Sequence, residues 1–133
     1  MQDAVPMIEK MLPGYIANFG SIQKTVKELL AAGARVTAGT DSPFIPYAMS
    51  LHTELQCWVD GGITPFETLR SATLWSAEAV GVSKDLGTLE AGKLADLVIV
   101  DGDPLVKIQD AWNVQQVMKN GILHDIDTLL KKP

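Results

Sequence analysis

One helix-to-strand junction constrains this chain more than any other feature. Ser21 to Ala32 carries Ile22, Val26, Leu29 and Leu30 as a single apolar stripe, with Ser21 as the expected N-cap and Gly33 as the stop. Ala34 to Ala38 follows at once and reads as a short buried strand. Helix, tight turn and strand make the α-to-β half of an α/β repeat. A lone parallel strand has no neighbour, and its unpaired backbone groups must be covered by something else. The junction therefore predicts part of a larger α/β architecture.

The strand runs into Gly39-Thr40-Asp41-Ser42-Pro43, which places a carboxylate at its C-terminal mouth. In a β/α barrel that edge carries the chemistry. A carboxylate there can bind a metal ion and accept a proton from an activated water. The same residues are also ordinary turn chemistry, with Asp and Ser bonding their own backbone and Pro ending the strand.

Downstream, a helix is expected from about Ser50 to Val59, with Leu51, Leu55 and Trp58 on its inner face and Asp60-Gly61-Gly62 as its end. Thr64-Pro65-Phe66-Glu67 opens another helix: Thr64 caps, Pro65 takes the first position and Glu67 closes a capping box. A short helix from Leu74 to Val80 stops at Gly81. Beyond Leu86 the pattern changes. Leu94 to Val100 reads as a buried strand interrupted by Asp96, and Val114 to Lys119 and Ile122 to Asp125 flank an Asn120-Gly121 hairpin turn. Three such strands are too few for an independent sandwich.

Composition narrows the function. With 133 residues, 47% apolar and 20% charged, the chain has the balance of a globular protein with a real core. No run of about 18 apolar residues exists, so no membrane-spanning helix is expected. Met1 to Pro6 has neither the basic start nor the apolar centre of a signal peptide. A formal charge of −5 with scattered lysines argues against a nucleic-acid surface. The single cysteine, Cys57, excludes an internal disulfide and points to a reducing, cytoplasmic setting. It lies in an apolar helical pattern and reads as a core thiol rather than a nucleophile.

Taken in order, the Ala-Gly-Thr-Asp strand end, the His52-Thr53-Glu54-Leu55 helix, Gly62-Ile63-Thr64-Pro65, Ala72-Thr73 and the run from Leu86 to Leu105 (LGTLEAGKLADLVIVDGDPL) resemble the amidohydrolase superfamily. The branch most similar holds imidazolonepropionases and Xaa-Pro dipeptidase-like enzymes. The likeness covers about Ala34 to Leu123. It implies an α/β fragment: the last βα unit or units of a (β/α)8 metal-dependent hydrolase barrel, plus the C-terminal strands of its composite β-sandwich. Residues 1–85 would be the terminal portion of the barrel and 86–133 the sandwich part, with Arg35 to Gly39 as the eighth barrel strand.

The resemblance makes Asp41 the last metal ligand and the proton carrier to the leaving nitrogen. His52 would touch substrate, although a surface histidine near a helix start is an equal reading of the residues alone. Glu54 is expected to be solvated and His124 to lie on the surface. The family's remaining ligands, a His-X-His pair, a bridging lysine or acid and two later histidines, are expected upstream of Met1. The whole parent would then hold a divalent metal, expected to be zinc, and hydrolyse amide, peptide or cyclic amide bonds of small molecules. The isolated chain would hold no metal, be inactive, and either self-associate or pack on the rest of the barrel. A non-catalytic interaction module that keeps the sandwich strands is the alternative. A phosphoacceptor domain is disfavoured, because several βα units and an early acidic pair are missing.

Overall fold

The computed structural model describes residues 4–41 and 49–130, without the side chains of 4–12 and 15. Ser42 and Pro43 of the expected turn lie outside the described residues. The elements run α1 (Ala4–Ala31), α2 (Met49–Asp60), α3 (Pro65–Ala72), α4 (Leu74–Ala79), β1 (Leu97–Val100), a 3-10 helix (Ile108–Trp112), β2 (Val114–Lys119), β3 (Ile122–Asp125) and α5 (Ile126–Leu129). Among the described residues no helix is long and apolar enough to cross a membrane.

Helix α1 corrects the first expectation. It spans 28 residues, so Ser21 is not its cap but an interior residue whose carbonyl accepts from the Thr25 hydroxyl at 2.9 Å. Its end is where Gly33 puts it. The Ala34 N–H bonds the Leu29 carbonyl and the Gly33 N–H bonds the Leu30 carbonyl, both at 2.9 Å, with Gly33 at φ +85°. These paired bonds satisfy carbonyls that the helix leaves open, and the left-handed turn favours glycine.

Residues 34–41 form no strand; they run as an irregular strip. The physical reason is the one that makes the junction constraining: a strand exists through its ladder, and no described strand lies beside these residues. The strip is nonetheless anchored. Arg35 pairs with Glu78 of α4, and the Ala38 N–H bonds the Ser71 carbonyl at 3.3 Å.

The cap of α3 forms as expected. The Thr64 hydroxyl accepts from the Glu67 N–H at 3.2 Å, while the Glu67 carboxylate accepts from the Thr64 N–H at 3.3 Å and from its hydroxyl at 2.6 Å. Thr64→Ala removes the hydroxyl that caps the Glu67 N–H, leaving only the backbone half of the exchange, and is expected to lower stability by about 1 kcal/mol, read by chemical denaturation. Behind the cap, Thr68 and Ser71 are fully buried. Ser71 is satisfied locally: its hydroxyl donates to the Thr68 carbonyl at 2.7 Å, and its own carbonyl accepts from Ser76 at 2.6 Å.

The core is small and links the two halves of the chain. Leu55 and Trp58 of α2, Ile63, Trp75 and Ala77 of α4, and Ile108 and Ala111 of the 3-10 helix are buried. Leu51, expected inside, is exposed. The sheet is antiparallel in the order β1-β2-β3, with Lys119 facing Ile122 across the Asn120-Gly121 turn. Both turn residues have positive φ, 51° and 79°, the geometry of a tight hairpin. Strand β1 is not buried: Val98 and Ile99 are exposed, one on each face, because among the described residues no second layer covers that strand. His124 on β3 is half-buried, not fully surface.

The most family-specific run owes its residues to structure. Asp96 accepts from the Asn120 N–H at 2.7 Å and pairs with Lys119, pinning the hairpin to the start of β1. Asp110 accepts from the Asp103 N–H at 2.9 Å, and a Cβ at Gly102, with φ +118°, would lie 2.5 Å from the Asp110 carboxylate. Only glycine fits beneath that carboxylate.

Candidate functional site

The strip 34–41 ends beside an open cavity of about 490 Å³ between α1 and α2. Phe19, Ile22 and Val26 of α1 face Cys57 and Trp58 of α2, and Ile63 closes the wall. Polar groups gather at one side: Gly39 and Thr40 of the strip, with Ser50, Thr53 and Glu54 of α2. Ser50, Thr53, Glu54, Cys57 and Trp58 are spaced as one face of a helix, so a single stripe of α2 supplies that side. Across the floor, Gln23 donates to the Cys57 carbonyl at 2.6 Å and ties α1 to α2.

Asp41 is exposed at the end of the strip and has φ 47°, left-handed backbone that a non-glycine residue seldom adopts. Such backbone persists where neighbouring contacts hold it, and it clusters at functional positions. Just before it, the Gly39 N–H points at both oxygens of Glu54, at 3.1 and 3.0 Å. Burial pushes the Glu54 carboxyl above its usual range. The Gly39 N–H and a side-chain hydrogen bond with Trp58 pull it down, and the Asp41 charge pushes it up. The Asp41 charge therefore reaches Glu54.

Glu54 is the residue that sequence reasoning misplaced. It does lie on another side of α2 from His52, but that side faces the cavity rather than solvent. The signal was available in the Ser50, Thr53, Glu54, Cys57 spacing, which marks a second face of the helix.

His52 turns the other way. Its ring stacks on Trp112 of the 3-10 helix, centroids 4.8 Å apart and planes 31° tilted, and it is not part of the cavity wall. Burial lowers its pKa, which favours the neutral imidazole, and its Nδ1 is buried without a hydrogen-bond partner. The structure thus brings Asp41 and Glu54 together and leaves His52 on the α2 face that packs on the sheet unit. Cys57 lines the cavity half-buried, with its thiol pushed up by burial and by Asp60 and Glu54. A raised thiol is a poor nucleophile.

Residues 7–123 match the Amidohydrolase family, nearly the whole chain. The chain belongs to the amidohydrolase family. It is 31% identical over 132 residues to the imidazolonepropionase of Shouchella clausii, covering 94% of this chain and 26% of that protein. It is 44% identical over 85 residues to a 5-methylthioadenosine/S-adenosylhomocysteine deaminase of Moorella thermoacetica, covering 57% of this chain and 20% of that one. Among solved structures, a Xaa-Pro dipeptidase with methionine bound in its active site superposes with a TM-score of 0.72 at 31% identity, covering 78% of this chain and 25% of that one. The chain therefore spans about a quarter of the length of these amidohydrolases.

Enzymes of this family generally use divalent metals, and the residues here fit such an ion as one donor. The exposed Asp41 carboxylate is free of the Gly39 and Trp58 hydrogen bonds that occupy Glu54. Among the described residues no group of three His, Cys, Asp or Glu is placed to hold a metal ion. A catalytic zinc takes three protein ligands. Among the described residues Asp41 could serve as one donor, and no complete centre is assembled.

Proposed function

We propose that this chain is the C-terminal part of a metal-dependent hydrolase of C–N bonds, in which Asp41 is both a metal ligand and the group that moves the proton. Residues 1–85 complete the barrel, with the 34–41 strip becoming its last strand once a neighbour pairs with it. Residues 86–133 contribute their three strands to a β-sandwich. The observation that carries the reading is Asp41 itself: left-handed backbone at the end of a strip held by three helices, in an amidohydrolase chain. Relatives that are an imidazolonepropionase, a deaminase and a Xaa-Pro dipeptidase share C–N bond cleavage, which supports small amides, cyclic amides or dipeptides as the substrate class.

When bound, the metal lowers the pKa of water and polarises the scissile carbonyl. Asp41 then takes the water's proton on a carboxylate oxygen and returns it to the leaving nitrogen, which departs as a neutral amine. In this reading His52 would meet substrate from outside the cavity wall, where its ring packs on Trp112, and His52→Ala raises KM while kcat holds. Exposed Ile16, Phe19, Ile22 and Leu29 repeat along one side of α1 and give the rest of the barrel, or a second copy, an apolar face to cover.

The test is hydrolysis by the full-length enzyme of Xaa-Pro dipeptides and five-membered cyclic amides, before and after chelation. Activity that vanishes with chelator and returns with zinc or manganese is expected, while the 133-residue chain alone is expected to be inactive. Hydrolysis that persists in the metal-free enzyme would contradict the proposal.

A further inference from the structure

The backbone leading into Asp41 is gripped from one side, and the structure assigns that grip to Glu54 as a positioning residue for Asp41. The assignment rests on the proposed role of Asp41. Both Glu54 oxygens face the Gly39 N–H, at 3.1 and 3.0 Å, two residues before Asp41. The preceding amide, that of Ala38, is tied instead to the Ser71 carbonyl of α3 at 3.3 Å. Two successive amides bound to two different helices fix the rotation of the strip about its own axis. That rotation sets the direction in which Asp41 leaves it.

Asp41 needs such a hold, because φ 47° is disfavoured for a residue with a side chain. Glu54 is itself placed by α2, whose Leu55 and Trp58 are buried in the core. The carboxylate also borders the apolar lining of Ile22, Val26, Cys57 and Ile63. A carboxylate placed among apolar groups is costly unless it is hydrogen-bonded. Here its partner is the Gly39 amide, and a hydrogen bond to an ionised carboxylate is stronger than one between neutral groups.

The experiment compares Glu54→Ala and Glu54→Gln with the unmutated sequence in two settings. In the 133-residue chain, hydrogen exchange at the Gly39 amide reads the grip directly. Glu54→Ala is expected to speed it about tenfold or more, and Glu54→Gln, which keeps a carbonyl acceptor, to restore most of the protection. In the full-length enzyme, zinc affinity by chelator competition and kcat read the consequence. Glu54→Ala is expected to lower one or both about 10–100-fold with little change in KM, the scale for residues that orient a metal ligand, and Glu54→Gln to stay near the unmutated values. Unchanged Gly39 exchange in Glu54→Ala would overturn the grip. Faster exchange with normal zinc affinity and kcat would overturn the positioning role while leaving Asp41 as proposed. Asp41→Asn, run alongside, separates the two: full activity there would remove the reading beneath the inference, and the inference with it.

Discussion

Asp41→Asn in the full-length enzyme is expected to lower kcat by about a hundredfold to ten-thousandfold, the usual scale for removing a general base. KM is expected to change far less. The substitution is chosen for what it keeps. Asn tolerates left-handed backbone as Asp does, so the φ of 47° at this position is no obstacle. It also preserves size and one oxygen donor. What it loses is the negative charge and the ability to take up a proton at that oxygen, so the loss falls on the chemical step rather than on binding. Metal content measured on the same preparation divides the two roles. Normal metal with low kcat isolates proton transfer, and lost metal shows that the ligand role dominates. Near-normal kcat with normal metal would return Thr40-Asp41 to a simple turn.

The largest stability effect is expected at Trp75, outside the cavity wall. Its indole is buried, and the Arg70 guanidinium lies 4.9 Å from its centroid while also facing Phe66 at 5.5 Å. Few of the described residues are buried, so a hole here has little neighbouring core to collapse into. Trp75→Ala is expected to cost about 3–5 kcal/mol, the range for removing a buried aromatic. That is a large share of the total stability of an ordinary domain. Urea titration followed by far-ultraviolet circular dichroism would show it as a lowered midpoint or as loss of the cooperative transition. A change below about 1 kcal/mol would place Trp75 outside the structural core, against the burial described above.

What the sequence made legible was local. The Thr64-Pro65-Phe66-Glu67 box, the glycine ends of α1 and α2, and the Asn120-Gly121 hairpin with both its strands appear as read, because each is decided by contacts within a few residues. The N-terminal half of α1 escaped notice, since Pro13, Gly14 and Gly20 all argue against a helix interior that forms nonetheless. The 34–38 segment was read as a strand from its composition, but strand formation is settled by a partner that no local pattern contains. Strand β1 was expected to be buried for the same reason: apolar residues announce a covered face without saying what covers it.

The site divides in the same way. Asp41 stands out in the sequence because a glycine and a carboxylate close the segment that begins at Ala34. Glu54 was misplaced because its meaning lies in a bond to an amide fifteen residues earlier. The reading of His52 from its distance past Asp41 could not anticipate Trp112, sixty positions on in the sequence, which holds its ring.

The central claim, that this chain contributes Asp41 to a metal centre, is tested most directly by anomalous scattering from crystals of the full-length zinc-loaded enzyme. The account predicts a zinc peak about 2.0–2.2 Å from an Asp41 carboxylate oxygen, the bonding distance for that pair. A fully occupied zinc centre whose ligands do not include Asp41 would contradict it.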